Sequence, residues 1–130
     1  MLGVRSALSR FAPPLAVMAL IFLLSAQTSA DPHLPAWEVG LRKLGHMTEY
    51  AVLWFLWWRA LGYRYLAAAV AITLTYAITD EFHQTFVAGR HGTAHDVGID
   101  AVGVALAIVV SRRAARAPRL RRRPAGTPGR

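Results

Sequence analysis

Charged and polar residues recur at helical spacing at one end of three apolar stretches of the chain. The positions that would share a helix face are 46, 49, 50, 53 and 57, then 73, 76, 80, 83 and 84, and finally 96, 100, 103 and 107. Histidines stand beside carboxylates on two of these faces, His46 with Glu49 and His83 with Asp80. Because a carboxylate tunes the protonation of a neighbouring imidazole, the pattern indicates an acid–base site or a polar binding site.

In an acid–base site, His83 would be the base and Asp80, one turn earlier, would orient it. Glu81 or Glu49 would be the acid. The serines, at positions 6, 9, 25, 29 and 111, are expected to lie outside the cluster, so water or the substrate itself would have to attack. The candidate ligand-binding residues are Lys43, His46, Gln84, Arg90, Asp96 and Asp100, of which the two cationic ones suit phosphate or carboxylate.

Some of these residues have a purely structural interpretation as well. Asp96 precedes an apolar run and could be a helix N-cap. His46 could be a hydrogen-bond partner of Glu49, and the acids at positions 80 and 81 could be solvated at an interface. Asp100 lies a full turn inside its helix, which predicts a pairing with His46, Lys43 or Arg90.

A metal centre is an alternative for the same residues. The i, i+3 pairs of His46 with Glu49 and of Asp80 with His83 resemble the inward-facing pairs of di-metal helical bundles and could hold zinc or iron. The chain has no His-Glu-x-x-His motif and no cysteine. We therefore predict no metal and no cofactor.

The apolar stretches that carry these residues are 11–26, 47–58, 65–79 and 97–111. Apolar residues make up 55% of the chain and charged residues 17%, which is unusual for a soluble domain. Each stretch reaches the roughly 20 residues of a membrane span once a flanking polar turn is included. We predict an all-α polytopic membrane bundle with four transmembrane helices over 11–111, with a soluble helical bundle as the alternative.

The basic residues predict the orientation of this bundle. Twelve lie in segments 1–10, 59–64 and 112–130, against three in the intervening loops, which places both termini in the cytoplasm. Segment 112–130 holds eight arginines and no acid, and the rest of the chain has no net charge. This confines the positive charge to a tail that we predict to be disordered, and it argues against nucleic-acid binding. The first segment also resembles a signal peptide ending at Thr28-Ser29-Ala30, and we favour its retention as a helix.

A series of motifs runs from residue 42 to residue 110. They are Lys43-Leu44-Gly45-His46 with Glu49-Tyr50, Asp80-Glu81-Phe82-His83-Gln84 with Phe86, Gly89-Arg90, and Asp96 with Gly103. This series resembles the VanZ-like family of small integral membrane proteins. Many members have Asn where Asp100 stands and Pro where Ala88 stands, which are mild departures. The resemblance implies a shared site made of Lys43, His46, Glu49, Asp80, Glu81, His83, Gln84, Arg90 and Asp96.

The founding members of that family are associated with teicoplanin and lipoglycopeptide resistance. The resemblance therefore implies a cell-membrane protein with an extracytoplasmic polar site, in contact with membrane lipids. We expect the site to bind an anionic envelope or lipid-linked ligand or a glycopeptide. An acid–base enzyme acting on a lipid-linked envelope intermediate is the alternative. Transport is disfavoured because four short helices leave little room for alternating access unless the chain oligomerises.

Overall fold

The computed structural model describes residues 2–28, 35–90 and 92–116, with side chains from Ser6 onward. These residues form four helices, which are α1 (Leu2–Ser25), α2 (Ala36–Ala60), α3 (Leu66–Gln84) and α4 (Ala94–Arg116). The described ranges contain no strand, so the predicted all-α fold is confirmed.

The helices are longer than the apolar stretches that predicted them. Helix α1 already runs from Leu2, so Pro13 and Pro14 lie inside it. Helix α4 continues through residues 112–116, which we had assigned to the disordered tail, and residues 117–130 lie outside the described ranges. The difference arises because arginine and other polar residues continue a helix well, although they end the apolar pattern.

Two of the four helices are apolar and long enough to cross a membrane, Ser6–Ser25 and Ala94–Arg116. A core helix of a soluble protein or a signal sequence would meet the same criterion. However, only 11% and 17% of these two segments are buried inside the protein, which is low for core helices. Large apolar side chains are also exposed on α3, where Ile78 is 56% and Phe82 66% accessible. Such surfaces favour a lipid environment over water.

The core lies between the helices at mid-height. Tyr50, Leu53 and Trp54 of α2 are fully buried against Ile21, Ala69, Ala77 and Val104. Helix α4 approaches α2 so closely that a Cβ atom on Gly103 would clash with the Met47 carbonyl oxygen and lie 2.9 Å from the Met47 Cα. Only a residue without a Cβ atom allows this approach, as is common where helices pack closely in membranes.

The chain turns between α2 and α3 through backbone conformations of positive φ. Gly62 has φ 70° and Tyr63 has φ 60°, and the Tyr63 amide donates to the Trp58 carbonyl oxygen. This tight connection makes α2 and α3 antiparallel neighbours. Consecutive helices run in opposite directions. The last residues of α1 and α3 therefore lie beside the first residues of α2 and α4, and we call this side of the bundle the polar end.

Candidate functional site

The Asp80 carboxylate accepts more hydrogen bonds than the other charged groups described at the polar end. It is 3% accessible and accepts three hydrogen bonds, from Ser25 Oγ (2.5 Å), Tyr50 Oη (3.2 Å) and Gln84 Nε2 (3.1 Å). These donors come from α1, α2 and α3, so one carboxylate joins three helices. The prediction that every serine lies outside the cluster is wrong for Ser25, because Ser25 lies in the last turn of α1 and its hydroxyl donates to the Asp80 carboxylate.

His83 packs against helix α1. Its ring stacks on Phe22 with ring centroids 4.6 Å apart, and its buried Nδ1 has no hydrogen-bond partner among the described residues. The hydrogen bonds described for Asp80 come from other residues. His83, the predicted base, and Asp80, its predicted orienting acid, therefore lie on one helix. The contact described for the imidazole is stacking on Phe22 rather than a hydrogen bond to Asp80.

The loop before α4 is tied down by Thr93 and Asp96. Thr93 Oγ1 accepts from the Asp96 amide (3.2 Å) and donates to Asp96 Oδ2 (2.6 Å). The N-cap of α4 is thus Thr93, and the alternative that Asp96 caps the helix is wrong because α4 begins at Ala94, three residues earlier than that interpretation required. Lys43 Nζ lies 3.1 Å from Asp96 Oδ1, which joins α2 to the start of α4 through a half-exposed ion pair.

Glu81 is held by the same loop. Its Oε2 accepts from the Thr93 amide at 3.1 Å, and its side chain is buried. A Cβ atom on Gly92 would collide with the Glu81 backbone carbonyl, so only glycine allows the loop to pass this close. The contact fixes the start of α4 against the end of α3.

Arg90 caps the end of helix α1. Its Nε donates to the Gln27 carbonyl oxygen (2.9 Å) and its Nη2 to that of Leu24 (3.1 Å). A cation at this position satisfies carbonyl groups that have no partner within the helix, and it interacts favourably with the helix dipole. The two bonds use two of the five N–H donors of the guanidinium group.

Asp100 is enclosed on α4 with no hydrogen bond to either carboxylate oxygen, and it is 1% accessible. Of its three predicted partners, Lys43 binds Asp96 and Arg90 binds α1. His46 is the partner that comes close, because His46, Glu81 and Asp100 each offer a ligand atom within 4.8 Å of the others. This grouping differs from the four residues considered above for a metal.

A cavity of about 320 Å³ opens at the polar end beside this cluster. Its wall combines apolar residues of α1 with charged groups of α2 and the loop before α4. The lining residues are Ile21, Leu24, Ser25, Gln27, Thr28, Arg42, Gly45, His46, Glu49 and Arg90. Two guanidinium groups and an imidazole outnumber the one carboxylate on this wall, that of Glu49, although Arg42 also pairs with Glu38 (3.1 Å). The lining therefore has the character of an anion-binding site with an apolar side.

The polar end thus gathers most of the predicted residues, but in separate groups. One group surrounds Asp80, a second joins Lys43 to Asp96, and a third contains His46, Glu81 and Asp100. Sequence reasoning did not place Ser25, Arg42 or Thr93 in the site. The signal for Thr93 was available, since threonine three residues before an acid is typical of a helix start. For Ser25 no local signal distinguishes it from the other serines.

The comparisons with known proteins identify a family. A family model described as VanZ/LLP1 matches residues 8–115, which is most of the chain. Neither the curated proteins nor the solved structures contain a match to the chain.

Proposed function

Because the chain belongs to the VanZ/LLP1 family, we propose that it is a multi-pass membrane protein whose polar end binds an anionic envelope or lipid-linked ligand. All four helices span the membrane in this proposal. Both termini lie in the cytoplasm, and the polar end faces the outer side, as the distribution of basic residues predicts.

The observation that supports this proposal most strongly is the composition of the 320 Å³ cavity. Arg42 and Arg90 lie on its wall with His46, and such groups bind phosphate or carboxylate oxygens. Ile21 and Leu24 of α1 form an apolar side of the same cavity. A ligand with a charged head and a lipid chain matches both features, since its head would contact the cations and its chain would lie along α1.

The arginines provide a direct test of ligand binding. We would place the full chain in phosphatidylcholine nanodiscs and measure its affinity for a polyprenyl pyrophosphate and, separately, for inorganic pyrophosphate. Removing a charge-assisted hydrogen bond costs about 1.5–3 kcal/mol, so Arg42→Ala is expected to weaken lipid binding about tenfold or more. Weaker binding of inorganic pyrophosphate than of the lipid would assign part of the affinity to the apolar wall.

Arg64→Ala is the matched control, because Arg64 is an exposed arginine in the turn between α2 and α3, at the opposite end of the bundle. It should bind like the wild type. Equal affinities for the wild type, Arg42→Ala and Arg64→Ala would contradict the proposal. A glycopeptide such as teicoplanin, used as a third probe, tests whether the resistance associated with the family extends to this chain.

An acid–base enzyme is the second candidate, and one observation favours it. His46 and Glu49 line the same cavity, so an imidazole and a carboxylate face the space in which a ligand would bind. In that case Glu49→Gln should abolish turnover of a lipid-linked pyrophosphate while affinity for it is unchanged. Full turnover in Glu49→Gln would exclude this role for Glu49.

A further inference from the structure

Three side chains from three helices converge beside the cavity, and we propose that they bind a divalent transition-metal ion. They are His46 of α2, which is half-buried, and Glu81 of α3 and Asp100 of α4, which are buried. Each offers one ligand atom, and these atoms all lie within 4.8 Å of one another. Because ligand atoms stand about 2.0–2.2 Å from a zinc ion, side-chain rotations that bring these atoms closer would let one ion contact all three.

The state of Asp100 is the main argument for an ion. Its carboxylate is 1% accessible, and neither oxygen has a hydrogen-bond partner in the part of the chain that the structure describes. Glu49, Glu81, Asp80 and Asp96 are all close enough to repel its charge. A buried carboxylate without a partner is strongly destabilising, so this one needs a compensating proton or cation.

The lysine and arginine predicted as partners of Asp100 already interact with other groups. Lys43 forms its ion pair with Asp96, and Arg90 donates to two carbonyl groups of α1. A dication with two carboxylates and a neutral imidazole has no net charge. Such a complex would remove the repulsion between Glu81 and Asp100 without a change in any side-chain position outside the cluster.

The other two side chains are also suited to ligation. The Nδ1 atom of His46 is buried without a hydrogen-bond partner. Glu81 accepts a hydrogen bond from the Thr93 amide through Oε2, and such a contact orients a ligating carboxylate. The loop before α4 therefore acts as the support of the proposed ligand set.

The mixture of donors indicates the kind of ion. An imidazole nitrogen with two carboxylate oxygens suits Zn²⁺, Mn²⁺ or Fe²⁺, whereas Ca²⁺ and Mg²⁺ prefer ligand sets made of oxygen. Three protein ligands leave a coordination position for water or for a ligand. Because His46 also lines the cavity, the ion would stand next to the anion that we propose binds there, and this last step alone depends on the proposed function.

The test measures zinc directly. The full chain, purified in detergent with an affinity tag that lacks histidine, is stripped with a chelator and titrated with Zn²⁺ against a chromophoric competitor. The wild type is expected to bind one Zn²⁺ per chain, and Asp100→Asn and His46→Ala to bind at least tenfold more weakly. His95→Ala is the matched control, because His95 is an exposed histidine five residues before Asp100 on α4, and it should bind like the wild type.

Thermal unfolding separates loss of the ion from loss of the fold. Zn²⁺ should raise the unfolding midpoint of the wild type and of His95→Ala, because it binds only the folded chain, and it should raise that of Asp100→Asn by less. A wild type that binds zinc no better than Asp100→Asn would overturn the proposal, and so would equal losses in His95→Ala and Asp100→Asn. Arg42→Ala tests the anion site separately, since it leaves all three ligands in place.

Discussion

At the scale of single residues, hydrogen bonds to Asp80 explain how the polar end holds a charge in a nearly dry environment. Ser25, Tyr50 and Gln84 each donate to its carboxylate. The spacing along α2 and α3 predicts that Tyr50, Asp80 and Gln84 meet at one end of the bundle, but it gives no signal for Ser25. It does not predict which donor meets which acceptor, because pairings across helices depend on rotations and translations of whole helices that no local pattern encodes.

The bond between Ser25 and Asp80 leads to a stability prediction. Ser25→Ala removes a buried donor from a charged acceptor, and we expect the free energy of unfolding to fall by about 1.5–3 kcal/mol. Denaturant titration in detergent would measure it. Ser9→Ala on the same helix should be nearly neutral, since Ser9 is exposed and bonds only to the Ser6 carbonyl. An equal fall in the free energy of unfolding for Ser25→Ala and Ser9→Ala would contradict the prediction, because α1 would then be sensitive to the loss of either serine.

At the scale of elements, the close contact of α2 with α4 decides the geometry of the site. Gly103 lies against the Met47 backbone, one turn of helix from Asp100 and one from Ala107. Small residues at this spacing made the contact predictable from the sequence. The ends of the helices were less predictable, because Arg112 and its neighbours continue α4 beyond its apolar pattern.

Adding one methyl group to Gly103 should separate these two helices. Gly103→Ala would force its Cβ against the Met47 backbone, which has no room to yield, and we expect a loss of about 1–3 kcal/mol of stability. Gly98→Ala is the control on the same helix, since nothing lies within 4 Å of its added Cβ. That change should be neutral or stabilising by up to about 1 kcal/mol. Unfolding midpoints in detergent would distinguish them, and a Gly103→Ala variant as stable as the wild type would refute the close contact.

At the scale of the whole molecule, the distribution of charge predicts how the bundle is oriented. The family match over residues 8–115 and the apolar helices Ser6–Ser25 and Ala94–Arg116 support a membrane protein. The shorter apolar runs of α2 and α3 reach a spanning length only together with the polar groups that form the site. Hydropathy therefore detects α2 and α3 weakly, because the polar groups of the site lie within them.

The chain has no cysteine, so its orientation can be measured cleanly. We expect Thr85→Cys, at the polar end, to react with a membrane-impermeant maleimide added to intact cells. Tyr65→Cys, at the opposite end, should react only after the membrane is permeabilised. Both side chains are exposed, and the parent chain provides an unreactive control. The reverse pattern of labelling would invert the proposed topology.

Arg90 donates hydrogen bonds to the last carbonyl groups of α1, and this contact has a consequence for whether the first segment is cleaved. If a signal peptidase cut after Ala30, it would remove both acceptors of that arginine, the Ser25 hydroxyl and one side of the cavity in a single event. In the remaining three helices, Asp80 would lose one of its hydrogen-bond donors and Arg90 would lose the carbonyl groups to which it donates. We therefore predict that the leading segment is retained as a structural partner of the site, and the intact mass of the protein extracted from membranes should include it.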